Sequence, residues 1–404
     1  MSLDLPRARS SDPHVSARRE WLATNGLGGY ALGTVSGLRT RGYHGLLVAA
    51  LDPPLGRTLL VAGTDETVTV DGAEYPLAAH RWAGSTIDPR GFVHLDRFHL
   101  DGTVPVWTYA LADALLEKRV WMEPGANTTF VRYTLARARS PVDLHVKALV
   151  NHRDHHATTQ ANGWTMDVSA VDDGLQVQAF DGAAPFFLQS ADADATARHD
   201  WYRDFHLATE AYRGLDARED HLHAATFTAT LAPGASVTLV FSTEPDAPLD
   251  GAAALQRRTE HDDALLDQAD LGEAPSDIRQ LVRAADQFVV ARSTDDVPDG
   301  RSLIAGYPWF GDWGRDTMIA LPGLTLATGR PEVAATILRT YGQYVDQGMI
   351  PNRFPDASDT PEYNTVDATL WYVEAIRAYV DATSDHALLR DLFPVLEDIV
   401  AWHE

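Results

Sequence analysis

The sequence has no cysteine among its 404 residues, which excludes disulfide bonds and thiolate metal sites. Basic residues are also scarce: 33 lysines and arginines stand against 57 aspartates and glutamates, for a formal net charge of -24. Such a chain repels a polyanion unless a local basic patch intervenes, and the sequence shows no such patch. We therefore expect neither nucleic acid nor an anionic membrane as a partner.

Long apolar runs are missing as well. The polar stretch 1–19 lacks the apolar segment of a secretory signal, and no apolar run of 18 residues occurs. Neither a Gly-Lys-Ser/Thr phosphate loop nor a Gly-x-Ser-x-Gly nucleophile elbow is present. We expect a cytoplasmic protein that uses no cofactor, and the sequence leaves the oligomeric state open.

Short runs of β-branched and aromatic residues, separated by turn signals, fill the first half of the chain. Asp71-Gly72 lies between two such runs and is typical of a β-hairpin turn. Many short strands at close spacing predict a large antiparallel β-sandwich. The predicted strands include 104–111, 115–122, 128–135, 142–150, 165–171, 175–180, 186–189, 223–231 and 236–242.

The composition changes after Glu244, where apolar residues recur at helical spacing. Ser276 is the expected N-cap of the second helix. We interpret 1–19 as a flexible tail, 20–245 as the β-sandwich, 246–275 as a helical linker and 276–404 as a helical domain. The predicted helices are 249–268, 277–291, 316–328, 332–347, 366–382 and 386–403.

The stretch 306–323 combines Tyr307, Trp309 and Trp313, two aspartates and an arginine with four glycines. A sugar site needs such a mixture, because a pyranose has an apolar C–H face to stack and a rim of hydroxyls to hydrogen-bond. Glycine also lets the backbone approach a ligand closely. The alternative is a buried turn in which aspartate and arginine pair for structural reasons.

Two further stretches, 348–356 and 362–371, also place Asn, Asp or Arg beside aromatic residues, and we expect all three to converge at one end of the helical domain. In the alternative interpretation Asn364 or Thr365 caps a helix, Trp371 and Tyr372 are core residues, and Asp367 is a first-turn carboxylate. The candidate sugar-binding residues are Tyr307, Trp309, Asp312, Trp313, Arg315, Asp316, Asn352, Arg353, Asn364, Asp367 and Trp371.

Two stretches of the first half are also unusual. Residues 20–30 and 41–47 are dense in glycine and aromatic residues, and we favour packing against the helical domain. Asn25, Arg41 and His44 are considered for the substrate cleft. The histidines of 152–156 lack the helical His-Glu-x-x-His motif of a metalloprotease, so we expect a hydrogen-bonding role at the surface or between domains, and no metal.

These motifs resemble the glycogen debranching enzymes. The N-terminal domain of the bacterial and archaeal enzymes is matched by 20–30, 41–47, 201–205 and 213–216, and the amylo-α-1,6-glucosidase domain by 306–321, 350–354 and 363–371. The resemblance implies a β + α multidomain protein, with a large antiparallel β-sandwich followed by an (α/α)6-toroid-type helical domain. It implies hydrolysis of α-1,6-linked branch stubs on glycogen or limit dextrin, with inversion.

The resemblance also predicts that the helical domain is incomplete. An (α/α)6 toroid has twelve helices, whereas the pattern predicts about five, and the last one reaches Glu404 without a cap. The family's general acid is expected in a Thr-Trp-Met-Asp segment, which this sequence lacks. We therefore expect the acid and base beyond Glu404, with the candidate residues binding the sugar.

Other assignments stay open. If the chain itself hydrolyses glucan, its acid and base belong among Asp312, Asp316, Asp356, Glu362 and Asp367. The alternatives are another (α/α)6 enzyme of glucoamylase or trehalase type, and a non-catalytic α-glucan-binding protein.

Overall fold

A computed structural model describes residues 3–355 and 360–404. The strands of the first half are β1 (Asp4–Pro6), β2 (Glu20–Thr24), β3 (Tyr30–Thr34), β4 (Gly45–Asp52), β5 (Leu55–Val70), β6 (Ala73–Pro76), β7 (Ala79–Arg81), β8 (Ile87–Arg90), β9 (Leu95–Asp101), β10 (Val104–Leu111), β11 (Ala114–Met122), β12 (Thr128–Arg137), β13 (Val142–Asp154), β14 (Asp167–Val171), β15 (Gly174–Gln178), β16 (Phe186–Gln189), β17 (Asp194–His206), β18 (Arg218–Leu231) and β19 (Ser236–Ser242).

Helices dominate the rest of the chain, interrupted by three short strands. The helices are α1 (Arg7–Ser10), α2 (Pro13–Ser16), α3 (Ala208–Arg213), α4 (Gly251–Gln268), α5 (Ser276–Asp286), α6 (Gly314–Leu324), α7 (Pro331–Gly342), α8 (Asp367–Thr383) and α9 (His386–His403). The strands are β20 (Val289–Ala291), β21 (Arg301–Gly306) and β22 (Phe310–Asp312). None of the described helices combines the length and apolarity needed to span a membrane.

Two antiparallel sheets form the predicted sandwich. One has nine strands in the order β1-β9-β10-β11-β12-β19-β16-β15-β14, and the other has eight, in the order β17-β18-β13-β5-β4-β3-β2 with β6 on β5. Alternate residues of facing strands fill the space between them, as in Val131, Tyr133 and Leu135 of β12. This period of two is what a sheet with one buried face requires.

Turn chemistry explains why the strand predictions succeeded. Val70 pairs with Ala73 across Asp71 and Gly72, whose φ angles of 48° and 81° are the positive values that a two-residue hairpin needs. The predicted strands 104–111, 186–189 and 236–242 are confirmed with the same bounds.

The helices α6 to α9 pack around a second core that contains Leu321, Leu338, Tyr372 and Leu392. The helix α4, expected as a linker, lies against the nine-stranded sheet, because Asp262 accepts hydrogen bonds from the backbone and hydroxyl of Thr103, both at 2.8 Å. The helical segment is therefore docked on the sandwich.

Some boundaries differ from the expectations. The helix α5 begins at Ser276 and ends at Asp286, so Ser276 lies in the first turn and does not cap it. Residues 289–291, expected as helix, form β20 because Val289 pairs with Leu303. The start of the glycine-rich stretch is a hairpin, in which Gly306 pairs with Phe310.

Candidate functional site

The hairpin β21–β22 leads directly into α6, and Gly314 at the start of that helix fixes the next loop. A Cβ atom there would lie 2.0 Å from the Pro351 carbonyl oxygen, so only glycine fits without a backbone shift. The Gly314 N–H donates to the Asn352 carbonyl at 2.9 Å. The second predicted loop is thereby held against the first.

The third loop joins the same cluster. Arg353 forms backbone bridges with both Trp313 and Glu362, and the Asn352 N–H donates to the Glu362 carbonyl at 2.9 Å. The Asn352 side-chain amide donates to Asn364 at 3.0 Å. The three stretches that the sequence predicted to converge do converge in the structure.

Arg315 is at the centre of the charged groups. Its Nη1 lies 3.5 Å from Asp367 Oδ2, and its Nε lies 3.9 Å from Asp316 Oδ2. These three side chains are 42%, 44% and 45% exposed, respectively. Both ion-pair distances are long and the side chains are exposed to solvent, so each group retains capacity for hydrogen bonds to a ligand.

The carboxyl group of Asp367 is held in its ionised form. A hydrogen bond from the Thr365 hydroxyl, followed by the charge of Arg315, lowers its pKa, although partial desolvation acts in the opposite direction. An ionised carboxylate only accepts hydrogen bonds, so it suits a sugar hydroxyl.

Two partly exposed tryptophans lie on the elements that carry this cluster, Trp313 at the start of α6 and Trp371 on α8. Trp313 is half-buried, with the Arg353 guanidinium 5.8 Å from its ring centre and Phe310 edge-on at 5.9 Å. Trp371 is 40% exposed on α8, whereas its neighbour Tyr372 is buried in the helical core. The core alternative therefore describes Tyr372 and does not describe Trp371.

Asp312 lies apart from this group. Its side chain is fully buried and accepts from Arg292, with an Nη2–Oδ1 distance of 2.8 Å. The Arg292 guanidinium also lies 4.0 Å from the ring centre of Phe354. The structural ion pair considered from the sequence is thus formed by Asp312, while Asp316 faces the open cluster. Asp356 lies outside the described residues.

Tyr307 and Trp309 face the sandwich. Tyr307 packs against Tyr30 with ring centres 5.6 Å apart, and burial raises its pKa. The Arg41 guanidinium lies 5.1 Å from the Trp309 ring centre, and Tyr43 is 6.4 Å from it. These contacts anchor the hairpin that precedes Trp313.

Arg57, a residue that sequence reasoning missed, also contacts this hairpin by donating to the Phe310 carbonyl at 3.2 Å. Within the sandwich, Tyr43 of the stretch 41–47 shares a 3.0 Å hydrogen bond with His156. Asn25 and His44 are instead bonded within the sandwich, to Asn127 and Glu20. Across residues 3–355 and 360–404, no group of three or more His, Cys, Asp or Glu residues is arranged to hold a metal ion.

Comparisons with known proteins agree with this architecture. The family model "Glycogen debranching enzyme N terminal" matches residues 19–238, and "Amylo-alpha-1,6-glucosidase" matches residues 283–404. The glycogen debranching enzyme of Saccharomyces cerevisiae is 30% identical over 123 residues, which are 28% of this chain and 8% of that protein.

A solved structure with a TM-score above 0.5 shares the fold. A putative kojibiose phosphorylase from the human microbiome is 11% identical with a TM-score of 0.51, and the match covers 96% of this chain and 56% of that one. A bacterial glucoamylase solved with acarbose is also 11% identical, with a TM-score of 0.48 and coverages of 96% and 58%. The chain thus spans a small part of its curated relative and little more than half of these structures. Since the first family model alone covers more than half of it, the chain belongs to the glycogen debranching enzyme family.

Proposed function

We propose that this chain is part of a glycoside hydrolase that acts on α-1,6-glucosidic branch points of glycogen or related α-glucans. The observation that carries this proposal is the half-exposed cluster of Arg315, Asp316 and Asp367, with the partly exposed Trp313 two residues before Arg315. Family membership supports the choice of substrate.

In this proposal the cluster holds the terminal glucosyl residue. The guanidinium of Arg315 donates to the sugar oxygens in a fixed planar fork, and the carboxylates of Asp316 and Asp367 accept from hydroxyls. Trp313 and Trp371 offer ring faces to the apolar side of the pyranose. Asn352, Arg353 and Asn364 extend the polar rim.

We assign the general acid and base to residues outside 1–404. Inverting hydrolysis needs one protonated and one ionised carboxyl group, about 6.5 to 9.5 Å apart. Arg292 occupies Asp312, and Arg315 favours the ionised form of Asp367, so neither is suited to donate a proton. The cluster is better suited to positioning the sugar.

Glucose release from a glycogen limit dextrin tests this function. The extended gene product should release glucose, the 404-residue chain alone should release almost none, and proton NMR should show β-glucose as the first product if the reaction inverts. Comparing α-1,4, α-1,6 and α,α-1,1 substrates separates branch-point hydrolysis from glucoamylase or trehalase activity.

A matched pair of arginine variants locates the site in the extended product. Arg315→Ala should reduce kcat/KM by at least about tenfold, since a charged hydrogen bond contributes roughly 1.5–3 kcal/mol. Arg377→Ala is the control, because Arg377 is 59% exposed on α8 and pairs there with Glu374 and Asp381. Equal activity of the two variants would show that the cluster does not hold the substrate.

A further inference from the structure

A groove of about 280 Å³ lies on the face of the eight-stranded sheet that points away from the nine-stranded sheet. Its floor comes from strands β5, β13 and β17 of this sheet. Lys147 on β13 stands directly opposite Asp65 on β5, and its ammonium donates to the Tyr202 hydroxyl on β17 at 2.8 Å. The floor of the groove is therefore made of polar and aromatic side chains.

The hairpin β7–β8 forms one wall of the groove. Trp82 lies in the connection between β7 and β8 and packs on Phe205 of β17 with ring centres 4.7 Å apart. Its indole N–H donates to the Asp88 carbonyl. His80 reaches the floor through a 2.7 Å hydrogen bond to Asp65. The hairpin is thus fixed on the sheet, with Trp82 still partly exposed.

These groups suit a neutral hydroxylated ligand. Trp82 and Tyr202 are partly exposed rings, and Asp88 is an exposed carboxylate at the rim. The groove contains Lys147 and His80 on one side of the charge balance and Asp65, Glu66 and Asp88 on the other, so no excess positive charge attracts an anion. The chain as a whole carries a formal net charge of -24. A sugar offers both apolar faces to the rings and hydroxyls to the carboxylates.

The size of the groove limits the length of the ligand. Its volume of about 280 Å³ is at the lower end of the roughly 300–1,000 Å³ that is usual for small-molecule sites. It therefore suits one or two sugar units of a longer chain.

We propose that this groove is a second carbohydrate-binding site, which holds a short segment of an α-glucan chain away from the Arg315 cluster. The choice of α-glucan rests on the proposed function. A second contact on the same polymer raises the effective concentration of its branch points at the first site.

Binding of maltohexaose and retention on glycogen in affinity electrophoresis test this groove. Trp82→Ala should weaken maltohexaose binding by about tenfold, because one stacking face is lost. Asp88→Asn, which keeps the side-chain shape, should weaken binding less. Tyr212→Ala on α3, where Tyr212 is 92% exposed, is the control and should bind as wild type.

A second pair of variants guards against misfolding and separates the two sites. Trp82→Phe keeps a ring against Phe205, so it should fold as wild type and retain more affinity than Trp82→Ala. Arg315→Ala should leave glycogen retention through the groove largely intact, even if hydrolysis by the extended product is lost. The groove is overturned if wild type does not bind maltohexaose, or if Trp82→Ala and Asp88→Asn bind it as tightly as Tyr212→Ala. A failure of the Arg315 test alone would refute the proposed function and leave the groove standing.

Discussion

Asp312 and Asp316 lie four residues apart in one motif, yet replacing each by asparagine should affect different properties of the protein. Asp312 is fully buried and receives two hydrogen bonds from Arg292, whose side chain is only 9% exposed. Asp316 is 45% exposed and 3.9 Å from Arg315. Asp312→Asn should therefore destabilise the fold, while Asp316→Asn should weaken sugar binding.

The burial of each pair sets the size of the effect. Removing one partner of a buried ion pair costs about 3–5 kcal/mol, because the other charge stays buried without compensation. Asparagine can still accept one hydrogen bond from Arg292, so we expect about 3 kcal/mol for Asp312→Asn. A solvent-exposed pair contributes only about 0–1 kcal/mol, so Asp316→Asn should change the free energy of unfolding by less than about 1 kcal/mol.

Urea unfolding followed by tryptophan fluorescence measures both variants, and isothermal titration with isomaltose measures binding. The reasoning fails if Asp312→Asn unfolds within about 1 kcal/mol of wild type, since the buried pair would then contribute no more than an exposed one. It also fails if Asp316→Asn loses as much stability as Asp312→Asn.

Two further predictions concern a close approach and a buried histidine. Gly314→Ala should weaken isomaltose binding, measured by titration, because its Cβ would meet the Pro351 carbonyl. Gly323→Ala in the same helix meets nothing within 4 Å, so it should stabilise the folded state and raise the free energy of unfolding in urea by up to about 1 kcal/mol. Burial, then the charges of Arg57 and His156, lowers the pKa of His155 from 6.5 to about 2, so below pH 6.5 only the unfolded chain takes up that proton. The free energy of unfolding should therefore decrease as the pH is lowered, by up to about 1.4 kcal/mol per pH unit. In urea unfolding at pH 5 to 7, His155→Gln should flatten this slope, whereas His199→Gln, at an exposed position, should not.

Local signals allowed much of the sandwich to be predicted. Runs with a period of two, closed at both ends by turn residues, gave strands 104–111, 186–189 and 236–242 with the observed bounds. The run 287–291 continued an apolar helical pattern, so its strand could not be foreseen. Pairing of Val289 with Leu303 determines that conformation, and this contact is not encoded locally.

The candidate site was predictable as a set of loops but not as individual roles. Glycine, aromatic and charged residues marked all three loops in the sequence. The different environments of Asp312 and Asp316 depend on Arg292, which precedes Asp312 by 20 residues without any motif. The contact of Arg57 with the hairpin, across 253 residues, likewise had no signal.

The sandwich groove was also invisible in the sequence, for the same reason. Lys147 and Tyr202 are 55 residues apart, and only the strand order brings them together. The roles of the candidate residues in sugar binding remain predictions.

The most direct test of the central claim is isomaltose titration of the Trp82→Ala chain, in which the groove is disabled, with and without Arg315→Ala. If the Arg315 cluster holds a glucosyl residue, the Trp82→Ala chain binds isomaltose saturably, and the added Arg315→Ala change weakens binding by at least about tenfold. Equal affinity of the two proteins, or no binding by either, would contradict the claim.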